Sequence, residues 1–140
     1  MECGDCTVCC TLSVVKELEK KVWVTCHLCK DNGCSIYGKH PKSCKEFECA
    51  YLQGGENIEL RPDKCGVMFW KKSDRIFCGS MIPGVPVTEM ALKQVASFKS
   101  QGYSLVLFKK GEKLVFRFAD GHDKEEISKE YINLLADGYV

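Results

Sequence analysis

The number and spacing of the cysteines in this chain suggest that they have a chemical role. The 140 residues include 11 cysteines, and nine of these precede residue 50. The nine are Cys3, Cys6, Cys9, Cys10, Cys26, Cys29, Cys34, Cys44 and Cys49. Thiolates are ligands of zinc and of iron–sulfur clusters. Clustered thiols in a chain without a secretory signal are typical of metal or redox sites rather than of disulfide scaffolds.

The run over residues 3–10, spaced C-x2-C-x2-C-C, indicates a loop of metal ligands. A C-x2-C turn lets two thiolates converge on one point, and two overlapping turns bring three thiolates together. Bacterial ferredoxin loops have this spacing, whereas structural zinc sites use separated C-x2-C pairs. Neighbouring side chains diverge in both helix and strand. We therefore expect Cys9 and Cys10 to serve different centres, or one to bind while the other supports it.

The other five early cysteines complete the predicted ligand set. Cys26 and Cys29 form another C-x2-C pair, and Cys34 follows a glycine that relieves a tight turn. Cys44 and Cys49 are five positions apart, and this spacing does not place two side chains on one face of a helix. Nine thiols exceed any four-ligand site. The number of thiols is therefore compatible with one iron–sulfur cluster and one zinc ion, with two zinc ions, or with one centre and several thiols that bind no metal.

The two remaining cysteines are expected to have a different role. Cys65 and Cys78 flank an apolar strand pair, where a free cysteine usually behaves as a small buried hydrophobic residue. We therefore leave both out of the predicted ligand set. We predict no catalytic residues, because no common catalytic or nucleotide-binding motif is present. Whether the protein is an enzyme stays open.

Composition excludes further classes of function. Twenty Lys and Arg against 19 Asp and Glu give a net charge of +1, which argues against a broad binding surface for nucleic acid or an anionic membrane. No apolar run approaches the roughly 18–20 residues that span a bilayer. The N-terminus has no secretory signal pattern. We expect a cytoplasmic protein, and its oligomeric state is not predicted.

The elements that must position the cysteines differ between the two halves of the chain. Turn-rich residues 53–63 separate an N-terminal lobe, residues 1–55, from a scaffold, residues 56–140. The lobe shows little sustained periodicity, with short strands expected only at 12–15 and 21–25. Because such a segment buries little apolar surface, metal binding would have to supply part of its folding free energy.

The scaffold has ordinary strand and helix patterns. They predict strands over 66–71 and 75–78, a helix capped by Thr88 that runs to about Ser100, strands over 103–108 and 113–118, and a last helix capped by Asp123. The predicted fold class is α+β. An irregular, metal-stabilised N-terminal lobe would pack on a small antiparallel sheet with two helices.

The order of the thiol groupings resembles that of a known family. The residues that carry the likeness are Cys3–Cys10, Cys26-His-Leu-Cys29, Gly33-Cys34-Ser-Ile-Tyr37, Pro41-x2-Cys44 and Phe47-x-Cys49. Over residues 3–52 the chain resembles the CxxCxxCC, or YkgJ-type, family of zinc- or iron-chelating cysteine-cluster proteins. Arg61-Pro-Asp-Lys-Cys65-Gly resembles a downstream segment of some members. The resemblance implies metal chelation, with iron–sulfur binding suggested for some relatives, and it names no reaction.

Two functional hypotheses follow. In the first, a 4Fe–4S cluster is held mainly by thiolates of residues 3–10 and completed by a cysteine of residues 26–49. Such a protein would serve electron transfer, redox sensing or cluster carriage, and its partner would be a redox protein or a cluster acceptor. In the second, structural Zn²⁺ organises the lobe for binding a protein or nucleic acid.

Overall fold

The N-terminal lobe is built from short elements that surround its cysteines. The computed structural model describes residues 6–30, 33–54 and 57–136. In the lobe these residues form α1 (Val8–Leu12), β1 (Cys29–Lys30), β2 (Gly33–Cys34), α2 (Lys42–Glu46) and α3 (Ala50–Gly54). A single 3-10 turn, Lys16–Leu18, follows α1. The lobe therefore depends on turns and side-chain contacts more than on long regular elements.

The strands expected at 12–15 and 21–25 were wrong. Leu12 is the last residue of α1, and an isolated bridge between Val15 and Lys20 closes the turn that follows. Val8 and Leu12 are four residues apart, so both meet the same apolar cluster from one face of the helix. A single helical turn therefore lets both side chains pack into this cluster.

The scaffold contains a four-stranded sheet. Its strands are β3 (Val67–Lys71), β4 (Ile76–Met81), β5 (Ser104–Phe108) and β6 (Val115–Arg117), adjacent in this order. The two predicted hairpins, β3–β4 and β5–β6, are confirmed as antiparallel pairs. The prediction of an antiparallel sheet was wrong for the central pair, because β4 and β5 are parallel. The helix between them carries the chain back along the sheet, as a parallel crossover requires.

The two predicted helices cover opposite faces of this sheet. They are α5 (Glu89–Ser100) and α6 (Lys124–Ala136). Phe77 packs with Phe98 of α5, whereas its neighbour Cys78 packs with Tyr131 of α6, since alternate residues of a strand point to opposite faces. The predicted caps are confirmed: the Thr88 hydroxyl accepts the Ala91 N–H at 3.4 Å, and the Asp123 carboxylate accepts the Glu126 N–H at 2.9 Å.

The lobe packs on the sheet through one apolar cluster, which we call the junction cluster. Leu12 and Cys49 from the lobe and Met68 from β3 are its buried members. Trp70 of β3 contacts this cluster as well as the face that α6 covers. Its ring lies 6.3 Å, between centroids, from Phe47 of the lobe. The position of the lobe is thus fixed by aromatic and aliphatic packing against β3.

A short helix, α4 (Pro62–Cys65), joins the lobe to the sheet. It ends at Gly66, where φ is +84° and a Cβ atom would lie 2.4 Å from the Pro86 carbonyl oxygen. Only glycine fits both conditions. This tight turn holds Cys65 two residues before Val67, the first residue of β3. In the part of the chain that the structure describes, no helix has both the length and the apolar character needed to cross a bilayer.

Candidate metal centre

Six of the predicted ligands lie together in the lobe, and we call them the lobe thiols. They are Cys9, Cys10, Cys26, Cys29, Cys34 and Cys44, all free and partly exposed. The Cys10 thiol is in hydrogen-bond contact with the side chains of both Cys9 and Cys29. Cys44 lies within electrostatic range of Cys34, Cys10 and Cys26. Residues that are 35 positions apart in the chain therefore share one neighbourhood.

Main-chain hydrogen bonds bring these segments together. The Cys26 N–H donates to the Cys10 carbonyl at 2.8 Å, which ties the start of the second C-x2-C turn to α1. The Cys29 N–H then donates to the Cys26 carbonyl at 3.0 Å and closes that turn. Cys29 and Cys34 are directly opposite each other in the β1–β2 ladder. The backbone alone therefore gathers four cysteines from α1, the turn and the hairpin.

Cys44 reaches the group on α2, which a carboxylate holds in place. Glu17 accepts hydrogen bonds from the Ser43 N–H at 3.2 Å and from the Ser43 hydroxyl at 2.7 Å. These bonds satisfy a free donor in the first turn of α2 and lower the pKa of Glu17. Glu17 therefore connects the 3-10 turn after α1 to the helix that carries Cys44.

A buried lysine lies among the lobe thiols. The Lys20 side chain is only 7% exposed. Its Nζ donates to the carbonyls of Thr11 and Lys21 at 3.0 Å each, and also to the carbonyl of Ser13. Burial lowers the pKa of Lys20, while negative charge on Cys26 and Cys10 would raise it. The site thus contains a fixed positive group beside its sulfur atoms.

Two other predicted ligands lie in a second neighbourhood, next to α4. We call Cys6, Cys49 and Cys65 the α4 thiols. Cys6 is in hydrogen-bond contact with Asp63, whose carboxylate accepts two bonds from Arg61, at 2.6 and 2.8 Å. Cys65 is buried, donates to the Val67 carbonyl at 3.1 Å and interacts electrostatically with Cys49. Cys65 is therefore buried as expected, but it interacts with one predicted ligand, Cys49, and shares the neighbour Asp63 with another, Cys6.

The environment of the thiols favours their protonated form. The pKa of Cys10 is raised first by its contact with Cys9 and then by burial. Burial is the main cause of the raised pKa values of Cys29 and Cys44. Crowded, partly buried thiols do not ionise together without added positive charge. A bound metal cation supplies that charge and displaces the protons.

The donor chemistry of this group fits a thiophilic metal. Soft sulfur donors from α1, the 26–29 turn, the β1–β2 hairpin and α2 face one neighbourhood, and a cation is present to balance thiolate charge. Within residues 6–30, 33–54 and 57–136, however, no set of three or more His, Cys, Asp or Glu side chains is arranged as the ligands of one ion. Cys3, a further predicted ligand, lies outside the described residues.

Sequence reasoning did not find Lys20 or Glu17, because nothing in their local sequence sets them apart from surface charges. The position of Cys65 beside Cys49 had one available signal, the Arg61-Pro-Asp-Lys-Cys65-Gly segment. A serine–histidine pair, Ser104 and His122, is a structural contact. Its Oγ–Nδ1 distance is 2.7 Å, but the Ser104 side chain is 1% exposed and also accepts the Ala119 N–H.

Comparison with known proteins adds no functional information to the residues described above. No family model, no curated protein and no solved structure matches this chain.

Proposed function

We propose that the lobe thiols hold an iron–sulfur cluster, with a 4Fe–4S cluster as the expected type, and that the protein serves electron transfer, redox sensing or cluster carriage. The observation that carries the proposal is the gathering of six thiols from separate chain segments, four of which (Cys9, Cys10, Cys26 and Cys44) interact electrostatically with the Lys20 ammonium. When bound, such a cluster would supply one-electron redox chemistry at a potential set by its ligands, charge and hydrogen bonds.

The charge of the site supports this proposal. A cluster ligated by four thiolates carries net negative charge, which is costly to bury without a compensating cation. The Lys20 ammonium is such a cation, and main-chain carbonyls hold it beside the thiols of Cys10 and Cys26. A disulfide scaffold or a set of idle thiols would give no reason to bury a lysine here.

Access to the site also supports the proposal. All six lobe thiols keep part of their surface exposed. Electron transfer and cluster transfer both need a centre near the surface, where a partner protein can approach it. The α4 thiols Cys49 and Cys65, by contrast, are buried against the sheet. We therefore assign exchange with a redox partner or cluster acceptor to the lobe thiols.

The first test is anaerobic purification from iron-replete cells, followed by visible absorption spectroscopy and measurement of iron, acid-labile sulfide and zinc per chain. We expect a brown protein with iron and sulfide in equal amounts. Cys10→Ser and Cys44→Ser should lose most of the iron, because both thiols belong to the group. Cys78→Ala is the matched control and should keep it, since Cys78 is buried in the apolar core between the sheet and α6. A colourless, iron-free wild-type protein would exclude the proposal.

Structural zinc is the second candidate, and the hairpin geometry favours it. Cys26 and Cys29 lie on a closed turn, and Cys34 faces Cys29 across the β1–β2 ladder. A turn and hairpin that present cysteines together are typical of zinc-binding modules. Zinc in stoichiometric amount, with no iron and no visible colour, would support this candidate. The lobe would then serve to bind a protein or nucleic-acid partner.

A further inference from the structure

We propose that Lys20 is a built-in counter-ion of the lobe thiols, so that its charge sets the metal affinity of the site and, for an iron–sulfur cluster, the reduction potential. This inference rests on the proposed function, because it assumes that the lobe thiols become thiolate ligands. It adds a residue that is not a ligand and that no motif in the sequence identifies.

The position of the charge is fixed by the main chain. An ammonium group has three donors, and those of Lys20 bond to the carbonyls of Thr11, Ser13 and Lys21. The chain from the end of α1 to the Val15–Lys20 bridge wraps around the side chain. Lys20 is 7% exposed, so the charge is held in place and shielded from solvent. It is not a flexible surface group.

The hydrogen bonds of Lys20 leave its charge uncompensated. All three acceptors are neutral carbonyls, and in residues 6–30, 33–54 and 57–136 no carboxylate forms an ion pair with this ammonium. Burial of an unpaired cation is costly. The groups near it that can become negative are the thiols of Cys26, Cys10, Cys9 and Cys44. The charge is balanced when these thiols bind a metal as thiolates.

The hydrogen bonds alone do not explain why a lysine occupies this position. A neutral donor such as an amide can satisfy carbonyl oxygens without the desolvation cost of a charge. A positive charge is useful here because the thiols of Cys26, Cys10, Cys9 and Cys44 lie within electrostatic range of it. Removal of Lys20's charge should weaken metal binding, since the ligated site would carry one more uncompensated negative charge. A cluster would also become harder to reduce, so its potential would become more negative.

The test is anaerobic titration of the reduced, metal-free protein with Co²⁺, whose thiolate charge-transfer absorption reports sulfur ligation directly. The variants are Lys20→Gln, which keeps donors and loses the charge, and Lys20→Arg, which keeps both. Lys39→Gln is the matched control, because Lys39 is an exposed lysine of the same lobe. We expect Lys20→Gln to bind Co²⁺ about 10–100-fold more weakly, the range for changes next to metal ligands. Lys20→Arg should restore most of the affinity, and Lys39→Gln should match wild type.

A second pair of variants tests the charge without removing the lysine. Thr25 is exposed, and its hydroxyl lies 3.0 Å from that of Thr11, whose carbonyl accepts from Lys20. Thr25→Glu adds a negative charge there, and Thr25→Gln adds the same bulk without charge. We expect Thr25→Glu to bind Co²⁺ more weakly than Thr25→Gln. This comparison is valid even if Lys20→Gln fails to fold.

The outcomes separate the two proposals. Wild-type protein that shows no thiolate-to-cobalt absorption, and that contains no iron or zinc as purified, overturns both. Wild-type protein that binds Co²⁺ while the folded Lys20→Gln variant binds it equally tightly overturns the role of Lys20 and leaves the metal site standing. Equal affinities of Thr25→Glu and Thr25→Gln would also overturn that role. In iron-loaded protein, an unchanged reduction potential in Lys20→Gln would do the same.

Discussion

Cysteines with the same chemistry have different surroundings in this molecule. The lobe thiols are partly exposed and close to one another, as the contacts of Cys10 with Cys9 and Cys29 show. Cys78 is buried between β5 and α6, and burial raises its pKa to about 12. Its neighbours are apolar side chains, so it behaves as a small buried hydrophobic residue. The environment of each thiol, more than its residue type, determines whether it can act as a ligand.

The raised thiol pKa values predict how the stability of the metal-free protein depends on pH. Cys10, Cys29 and Cys44 have higher pKa values in the fold than in the unfolded chain. Their contribution to stability is present below the unfolded value of about 8.5 and is lost as pH rises through the folded values. We expect the urea midpoint of metal-free protein to fall as pH rises above that point. The metal affinity of the protein should instead increase as pH rises, because metal binding displaces protons from the thiols.

Urea unfolding of both forms over this pH range checks the prediction. The Cys10→Ser variant is the control, because a serine hydroxyl does not ionise there and part of the pH dependence should disappear. A metal-free protein that becomes more stable as pH rises would contradict the expected sign.

At the level of elements, very short helices carry three of the lobe thiols. α1 holds Cys9 and Cys10, and α2 holds Cys44, yet each helix is only five residues long. Helices of this length are not stable alone. Their positions depend on specific bonds, such as those from Ser43 to Glu17 and from the Cys26 N–H to the Cys10 carbonyl. Loss of such a bond should affect metal binding more than it affects the sheet.

Glu17→Ala is predicted to weaken metal binding, because it frees the start of α2 and lets Cys44 move away from the other lobe thiols. Co²⁺ affinity should fall, but by less than in Cys44→Ser, which removes a ligand. Glu17→Gln should keep most of the affinity, since its amide oxygen can still accept the Ser43 N–H. Glu112→Ala, which removes a carboxylate from the distant β5–β6 connection, is the matched control. Equal affinities of Glu17→Ala and wild type would show that α2 is held by other contacts.

At the scale of the whole molecule, the two halves differ in what holds them together. The sheet has a packed core on each face: Leu105 is fully buried under α5, and Ile127 of α6 is fully buried against the other face. The lobe contributes mainly Leu12 and Cys49 to the junction cluster, and its other elements depend on the thiol region. A segment with so little apolar burial is expected to gain much of its stability from metal.

For the metal-loaded protein that we propose, removal of the metal is therefore predicted to loosen the lobe and leave the sheet intact. In hydrogen exchange, amides of residues 8–54 should lose protection after anaerobic chelation, while those of β3, β4 and β5 should keep it. Backbone exchange measured by mass spectrometry on loaded and chelated samples gives this comparison. Equal loss of protection in the sheet would show that the two halves unfold as one unit. No change in either half would show that the lobe folds without metal.

Local sequence patterns were enough to predict the elements of the scaffold and to indicate thiolate chemistry. Both hairpins and both long helices follow from local features: short apolar runs bounded by turn residues at β3 and β4, and the caps at Thr88 and Asp123. The cysteine spacing indicated thiolate chemistry for the same reason, since a C-x2-C turn is a local structure. Local patterns can be recognised in the sequence because the residues that create them are near one another in the chain.

Only the tertiary structure decided how these parts are combined. The parallel pairing of β4 and β5 depends on where α5 packs, and the separation of the lobe thiols from the α4 thiols depends on contacts between distant segments. Lys20 shows most clearly what the sequence does not reveal, because nothing in the sequence distinguishes it from other lysines and yet it is buried in the fold. Its role follows from three carbonyls and a group of sulfur atoms that only chain folding brings around it.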